Sequence, residues 1–164
     1  MKTLIGLSAT ATLLFAAALA GVFFAYSISV MIGLDAVRPD HAIAAMRAIN
    51  VKIQNPLFLM AFLLMPVVGA VTGVLLLVSG QPTAGVLFFA AAAVYVLGVL
   101  VPSFAVNIPM NDALDAARPS AGDVARVWSG YSSRWTAWNH LRTLSSLLGV
   151  LLVGAGLFTW GRGA

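Results

Sequence analysis

PLFLMAFLLMPVVGAVTGVLLLVS, residues 56–79, and AGVLFFAAAAVYVLGVLVPSFAV, residues 84–106, carry no charged side chain, and only Gly80-Gln81-Pro82-Thr83 parts them. The hydrocarbon core of a bilayer is about 30 Å thick and takes roughly 20 apolar residues as a helix. Both runs reach that length. They lack the period-2 alternation of a half-buried strand and are far too long for one. A link of four residues between two such runs forces an antiparallel helical hairpin. Working outward, Leu4 to Ile32 is also free of charge, and a last stretch runs from Asn139 to Trp160 with its apolar part starting after Arg142. The expected fold is therefore all-α: an integral membrane four-helix bundle, a single transmembrane domain over 1–164 with spans at about 4–32, 56–79, 84–106 and 139–160.

Composition agrees. The chain is 61% hydrophobic and 9% charged, with mean hydropathy +0.99. A soluble domain is roughly half apolar and about a quarter charged, so this chain cannot coat a water-soluble globule. Disorder needs low hydrophobicity and high charge, and is excluded too. There is no cysteine, which removes disulfides, thiolate metal sites and a cysteine nucleophile. All five acidic residues are Asp, so the Glu-x-x-His pairs of di-iron bundles are absent. The net charge of +4 is that of loops held at a lipid surface and gives no case for nucleic acid.

Lys2, an apolar stretch and Ala18-Leu19-Ala20 imitate a secretory signal, but the run continues to Ile32, so it is taken as a retained first span. With four crossings the two long connections, 33–55 and 107–138, share one side. They hold Arg38, Arg47, Lys52, Arg118, Arg126 and Arg134, against Lys2 and Arg162 opposite. The positive-inside rule places the long connections in the cytoplasm, with the chain in a plasma membrane of bacterial type.

Both connections carry pattern. Asp40 stands as a helix cap, and Ile43, Met46, Ile49 and Ile53 recur at helical spacing, with Arg47, Asn50 and Gln54 on a neighbouring face. This predicts an interfacial amphipathic helix between spans 1 and 2. It either rests on headgroups or turns Arg47, Asn50 and Gln54 into a polar pocket at the bundle end. Between spans 3 and 4, Asn107-Ile-Pro-Met-Asn111 predicts a broken helical connection, because Pro109 lacks a backbone donor and restricts Ile108. The two asparagines there either satisfy freed backbone groups or bind a ligand. Ser120 and Asp123 have capping-box spacing. Trp128, Tyr131, Trp135, Trp138 and Arg142 then form one stripe, either a headgroup-level aromatic belt or a wall for a flat ligand.

Asn139, His140, Arg142 and Thr143 put more polarity at the mouth of span 4 than anchoring requires. Asn139 and Arg142 share a helix face, as do His140 and Thr143, while His140 and Arg142 point nearly opposite ways. Arg142 is a phosphate or loop anchor on one reading and a pocket group on the other. His140 is a hydrogen-bonded structural residue or a site residue. His41 is the second histidine. The pair are the side chains through which a haem or copper would be held, yet no spacing motif supports it and no metal ligand is assigned.

Three elements together, Gly21-Val-Phe-Phe-Ala-Tyr-Ser27, Asn107-Ile-Pro-Met-Asn111 and Trp135-Thr-Ala-Trp138-Asn139-His140-Leu-Arg142-Thr143, give a chain that resembles the anthrone oxygenase-like family of small four-helix membrane proteins. The resemblance implies oxidation of a flat, apolar anthrone- or quinol-like substrate by dioxygen without a required cofactor. It implies a base and a set of oxyanion donors: His140 as base, with Asn139 and Arg142 beside it, Asn107 and Asn111 as further donors, and Tyr131, Trp135 and Trp138 as walls. Asn50 and Gln54 complete the expected binding set. The alternative is a non-enzymatic membrane module, an accessory subunit or a lipid- or small-molecule-binding protein. In that case Gly69-x-x-x-Gly73 marks close helix packing or a homo-oligomer contact. A transporter is disfavoured, since no acidic residue lies inside a predicted span.

Overall fold

Within a bilayer no water meets the backbone, so an apolar run of this length must satisfy its own N–H and C=O groups as a helix. The computed structural model describes residues 1–163 and contains five helices. They are α1 Lys2–Asp35, α2 Pro39–Ile53, α3 Pro56–Val78, α4 Pro82–Ala116 and α5 Val124–Gly163. All but α2 are long and apolar enough to cross a membrane, and no strand is present among the described residues. The protein is an all-α membrane helical bundle. In it α1 packs on α3 and α5, and α4 packs on the same two, while α2 closes one end. A 40-residue helix such as α5 is about 60 Å long at 1.5 Å per residue, twice the hydrocarbon thickness. It therefore extends past the lipid at the end where α2 sits.

Three widened π turns interrupt the spans, at Tyr26–Val30 in α1 and at Val96–Leu100 and Ser103–Asn107 in α4. The last two flank Pro102, whose missing N–H and ring clash a tight α-turn would not absorb. The helix then runs through Pro109 to Ala116. The expected interruption of the second connection is real but misplaced: it falls at 117–123, not at Asn107–Asn111. A π turn ahead of Pro109 leaves that proline at the first turn of a fresh α segment, where no donor is required. In α3, Pro66 cannot donate to the Phe62 carbonyl four residues back, and the Tyr95 hydroxyl donates to it instead at 3.0 Å.

Close packing is built from glycine. A Cβ on Gly73 would lie 2.9 Å from the Phe89 ring, and one on Gly85 would lie 2.9 Å from the Gly73 carbonyl. The Gly69-x-x-x-Gly73 stripe thus joins α3 to α4 within one chain, with Gly69 also against Thr12 of α1.

Helix α2 is amphipathic as expected, but its apolar face meets protein. Ala42, Ile43 and Met46 are buried with Met31, Leu114, Trp128, Tyr131 and Trp135. Burying an Ile or Met side chain stabilises by about 1.5–3 kcal/mol, so these contacts outweigh a loose association with headgroups. Asp40 does not cap it. The helix starts one residue earlier at Pro39, and Asp40 pairs with Arg38 at 3.0 Å in the first turn. Ser120 likewise lies ahead of α5. Its hydroxyl donates to Asp123 at 2.7 Å, and with Arg126 it holds that carboxyl below its usual range.

Candidate functional site

At the α2 end the five helices line a half-open cavity of about 320 Å³. That is at the small end of ligand pockets, which run from roughly 300 to 1,000 Å³. Its walls are largely aromatic: Phe23 and Tyr26 from α1, Phe58 and Phe62 from α3, Phe104 from α4 and Trp135 from α5. Leu59, Leu63, Phe104 and Ile108 line it and are also exposed on the outer face of α3 and α4, so that rim is apolar. Asn50, Gln54, Asn111 and Asp112 make the polar rim.

Arg142 is the chemically decisive lining residue. It is 6% exposed. Its guanidinium carbon stands 4.8 Å from the Phe23 ring centre and 4.9 Å from that of Trp135, a cation held between two π faces. Nη2 donates to Asn139 Oδ1 at 2.9 Å and Nη1 reaches Ser103 Oγ at 3.4 Å. Nε is buried and has no hydrogen-bond partner. No carboxylate forms an ion pair with Arg142 among the described residues. A buried cation is normally paired, because desolvating it alone is costly. Here one donor and the net charge stay uncompensated, which suits an anionic or carbonyl oxygen from outside the chain.

Asn139 fixes that guanidinium. It is fully buried and does not line the cavity. Its Nδ2 donates to the Phe23 carbonyl at 2.8 Å and to Ser27 Oγ at 2.9 Å, leaving Oδ1 for Arg142. Phe23 stands just ahead of the π turn of α1, and that turn carries Tyr26 into the cavity wall and Ser27 into this network. Asn111 lines the cavity, and its Oδ1 accepts from both Tyr131 Oη and Trp135 Nε1 at 2.8 Å. Two donors on one atom settle which end of the amide is oxygen and leave Nδ2 without a hydrogen-bond partner among the described residues. Asn107 is buried behind this layer. Its Nδ2 donates to the Trp135 carbonyl at 3.2 Å and its Oδ1 is unpartnered.

The sequence-predicted set therefore divides. Arg142, Asn111, Asn50, Gln54 and Trp135 line one cavity. Asn139, Tyr131 and Asn107 stand behind it and orient its walls. Trp138 is half-buried and lies off the cavity, and the Trp128 and Tyr131 rings are core, not a headgroup belt. Arg47 turns away and donates to the carbonyls of Leu114 and Ala117, closing the C-terminal end of α4.

His140 is the main departure. It is exposed, and it lines a separate shallow groove with Asp35, Ser132 and Thr136. Its Nδ1 lies 3.0 Å from Ser27 Oγ. Two residues along a helix is a rotation of about 200°, so a side chain two before Arg142 faces the other way. His41 is exposed near Asp40 at the start of α2. Among the described residues no group of three or more His, Cys, Asp or Glu gathers in a metal-holding cluster.

Comparison with curated proteins and with solved structures gave no match. The profile of the family described as Anthrone oxygenase matches residues 55–152. That stretch contains α3, α4 and most of α5, and with them Asn111, Trp135, Asn139 and Arg142. More than half of the sequence is matched, and the chain belongs to the anthrone oxygenase family.

Proposed function

We propose that the protein is a membrane-embedded oxygenase that takes a small flat aromatic ketone or phenol into the cavity and prepares it for reaction with dioxygen. The observation that carries this reading is Arg142: a buried, unpaired guanidinium with a free Nε, between two aromatic rings, on the wall of a cavity of about 320 Å³. A ring system stacks against Phe and Trp walls, and a ketone oxygen that becomes anionic draws most from a preorganised cation in a dry site. The chemistry balances. An anthrone and dioxygen give a quinone and water. The activated CH₂ loses its two hydrogens, one oxygen atom becomes the new carbonyl, and the other leaves as water. Asn111 Nδ2 supplies a second donor. Asn139 and Ser27 hold Arg142 in place.

The apolar rim at Leu59, Leu63, Phe104 and Ile108 gives a lipid-dissolved substrate a way in. The excess of Lys and Arg in the two long connections supports a cytoplasmic position for this end. The proposal assigns no metal or haem, and an absorption spectrum with metal analysis of the purified protein tests that part. The central test is oxygen uptake by the protein in lipid nanodiscs supplied with anthrone, read with quinone absorbance. Uptake that is unchanged in Arg142→Gln would refute the role given to the guanidinium. Ligand binding with no oxygen uptake would favour the second reading, a small-molecule-binding module, to which the departure of His140 from the cavity lends weight.

A further inference from the structure

Removing His140 from the cavity leaves the proposed chemistry without a proton acceptor. We infer that Asp112 is that acceptor. This rests on the substrate reading above. Among the lining residues, Asp112 holds the only carboxylate and Tyr26 and Arg142 are the other ionisable groups, so the carboxylate is the lining group suited to accept a proton. The other aspartates are committed or remote. Asp35 accepts from Trp128 and Ser132, Asp40 from Arg38, and Asp123 from Ser120 and Arg126, while Asp115 does not line the cavity. Asp112 has neither a hydrogen bond nor an ion pair to any described side chain. Its position follows from helix register. Phe104, Ile108 and Asp112 are four apart on one face of α4, and all three line the cavity because α4 stays helical past Pro109.

The cavity thus has a free carboxylate at its polar rim and a free guanidinium donor in its wall. With a flat ketone between them, the C–H bond of the activated carbon breaks and its proton goes to an Asp112 carboxylate oxygen. The electron pair spreads onto the ketone oxygen facing Arg142, and the resulting enolate is the species that dioxygen oxidises. Dioxygen takes up the electron pair to give a carbon-bound peroxide, whose outer oxygen receives the proton back from Asp112. The freed carboxylate then takes the second C–H proton as the O–O bond breaks, so the C=O forms and the departing hydroxide takes that proton to leave as water.

The test separates this step from oxidation. Protein in nanodiscs is mixed with anthrone in D₂O without oxygen. Binding is followed by quenching of tryptophan fluorescence, and deprotonation by deuterium uptake at the activated carbon. Asp112→Asn is expected to bind within about threefold of wild type and to lose exchange by about 10²–10⁴-fold, the usual contribution of a general base. Asp112→Glu should recover part of it. Asp115→Asn, one turn further along and off the cavity, should exchange like wild type. Exchange at the wild-type rate in Asp112→Asn overturns the assignment, as does equal loss in Asp115→Asn, or binding without exchange in wild type. If anthrone fails to quench wild type at all, the substrate reading itself falls and takes this inference with it.

Discussion

Replacing Arg142 with Met should leave the fold near its original stability while removing ligand binding. The substitution deletes the cation–π contacts with Phe23 and Trp135, each worth about 0.5–2 kcal/mol. It also strands Asn139 Oδ1, at a cost of about 1–3 kcal/mol. Against these stands relief from holding a charge at membrane depth, about 2.5–3.5 kcal/mol on insertion scales. The terms partly cancel, and at the middle of each range the net is a destabilisation of about 1–2 kcal/mol. Binding has no such compensation. A hydrogen bond from a charged donor to the ligand oxygen is worth about 1.5–3 kcal/mol, and every 1.4 kcal/mol is tenfold, so affinity should fall roughly 10–150-fold. Thermal unfolding in nanodiscs measures the first quantity and tryptophan quenching by anthrone the second. Arg142→Lys should fall between, since an ammonium keeps the charge but cannot lie flat between two rings. A variant that unfolds easily yet binds as wild type would mean that Arg142 is an element of the scaffold, and the proposed site would be wrong.

Three further outcomes follow from local geometry. Asn139→Leu should destabilise by about 2–4 kcal/mol, because it removes one buried hydrogen bond from each of the Phe23 carbonyl, Ser27 and Arg142; a normal melting temperature would contradict this. Tyr95→Phe should cost about 1–2 kcal/mol through the stranded Phe62 carbonyl, and Pro66→Ala, which restores an N–H to that carbonyl, should shrink the cost in a double-mutant cycle; additive effects would disprove the pairing. His140→Ala should leave anthrone affinity within about twofold, since energetic coupling falls away for a side chain outside the cavity; a tenfold loss would put the histidine back in the site.

Much of the fold was legible because lipid makes sequence explicit. Charge-free runs as long as Pro56–Ser79 leave only the helix as a satisfied state, and Gly80–Thr83 fixes the hairpin. Helix spacing also showed that Arg142 shares a face with Asn139 and opposes His140, and the structure keeps both relations. Sequence periodicity, however, gives direction around a helix and not what lies opposite. The apolar face of α2 meets protein because Met31, Leu114 and Trp128 come from distant parts of the chain. Arg47 meets neither the headgroups nor the pocket that its spacing left open, because the carbonyls of Leu114 and Ala117 end within its reach.

Asp112 was missed for a similar reason. Pro109 looked like the end of order, and widened turns in α4 carry the helix through it, which keeps residue 112 in register with Phe104 and Ile108. Sequence alone determined that the chain is a bundle of membrane-spanning helices with polar side chains gathered near one end, because hydrocarbon imposes its demand residue by residue. Only the tertiary structure decided which of those side chains share a cavity. Membership in a cavity depends on the packing of five helices at once, and no single helix encodes it.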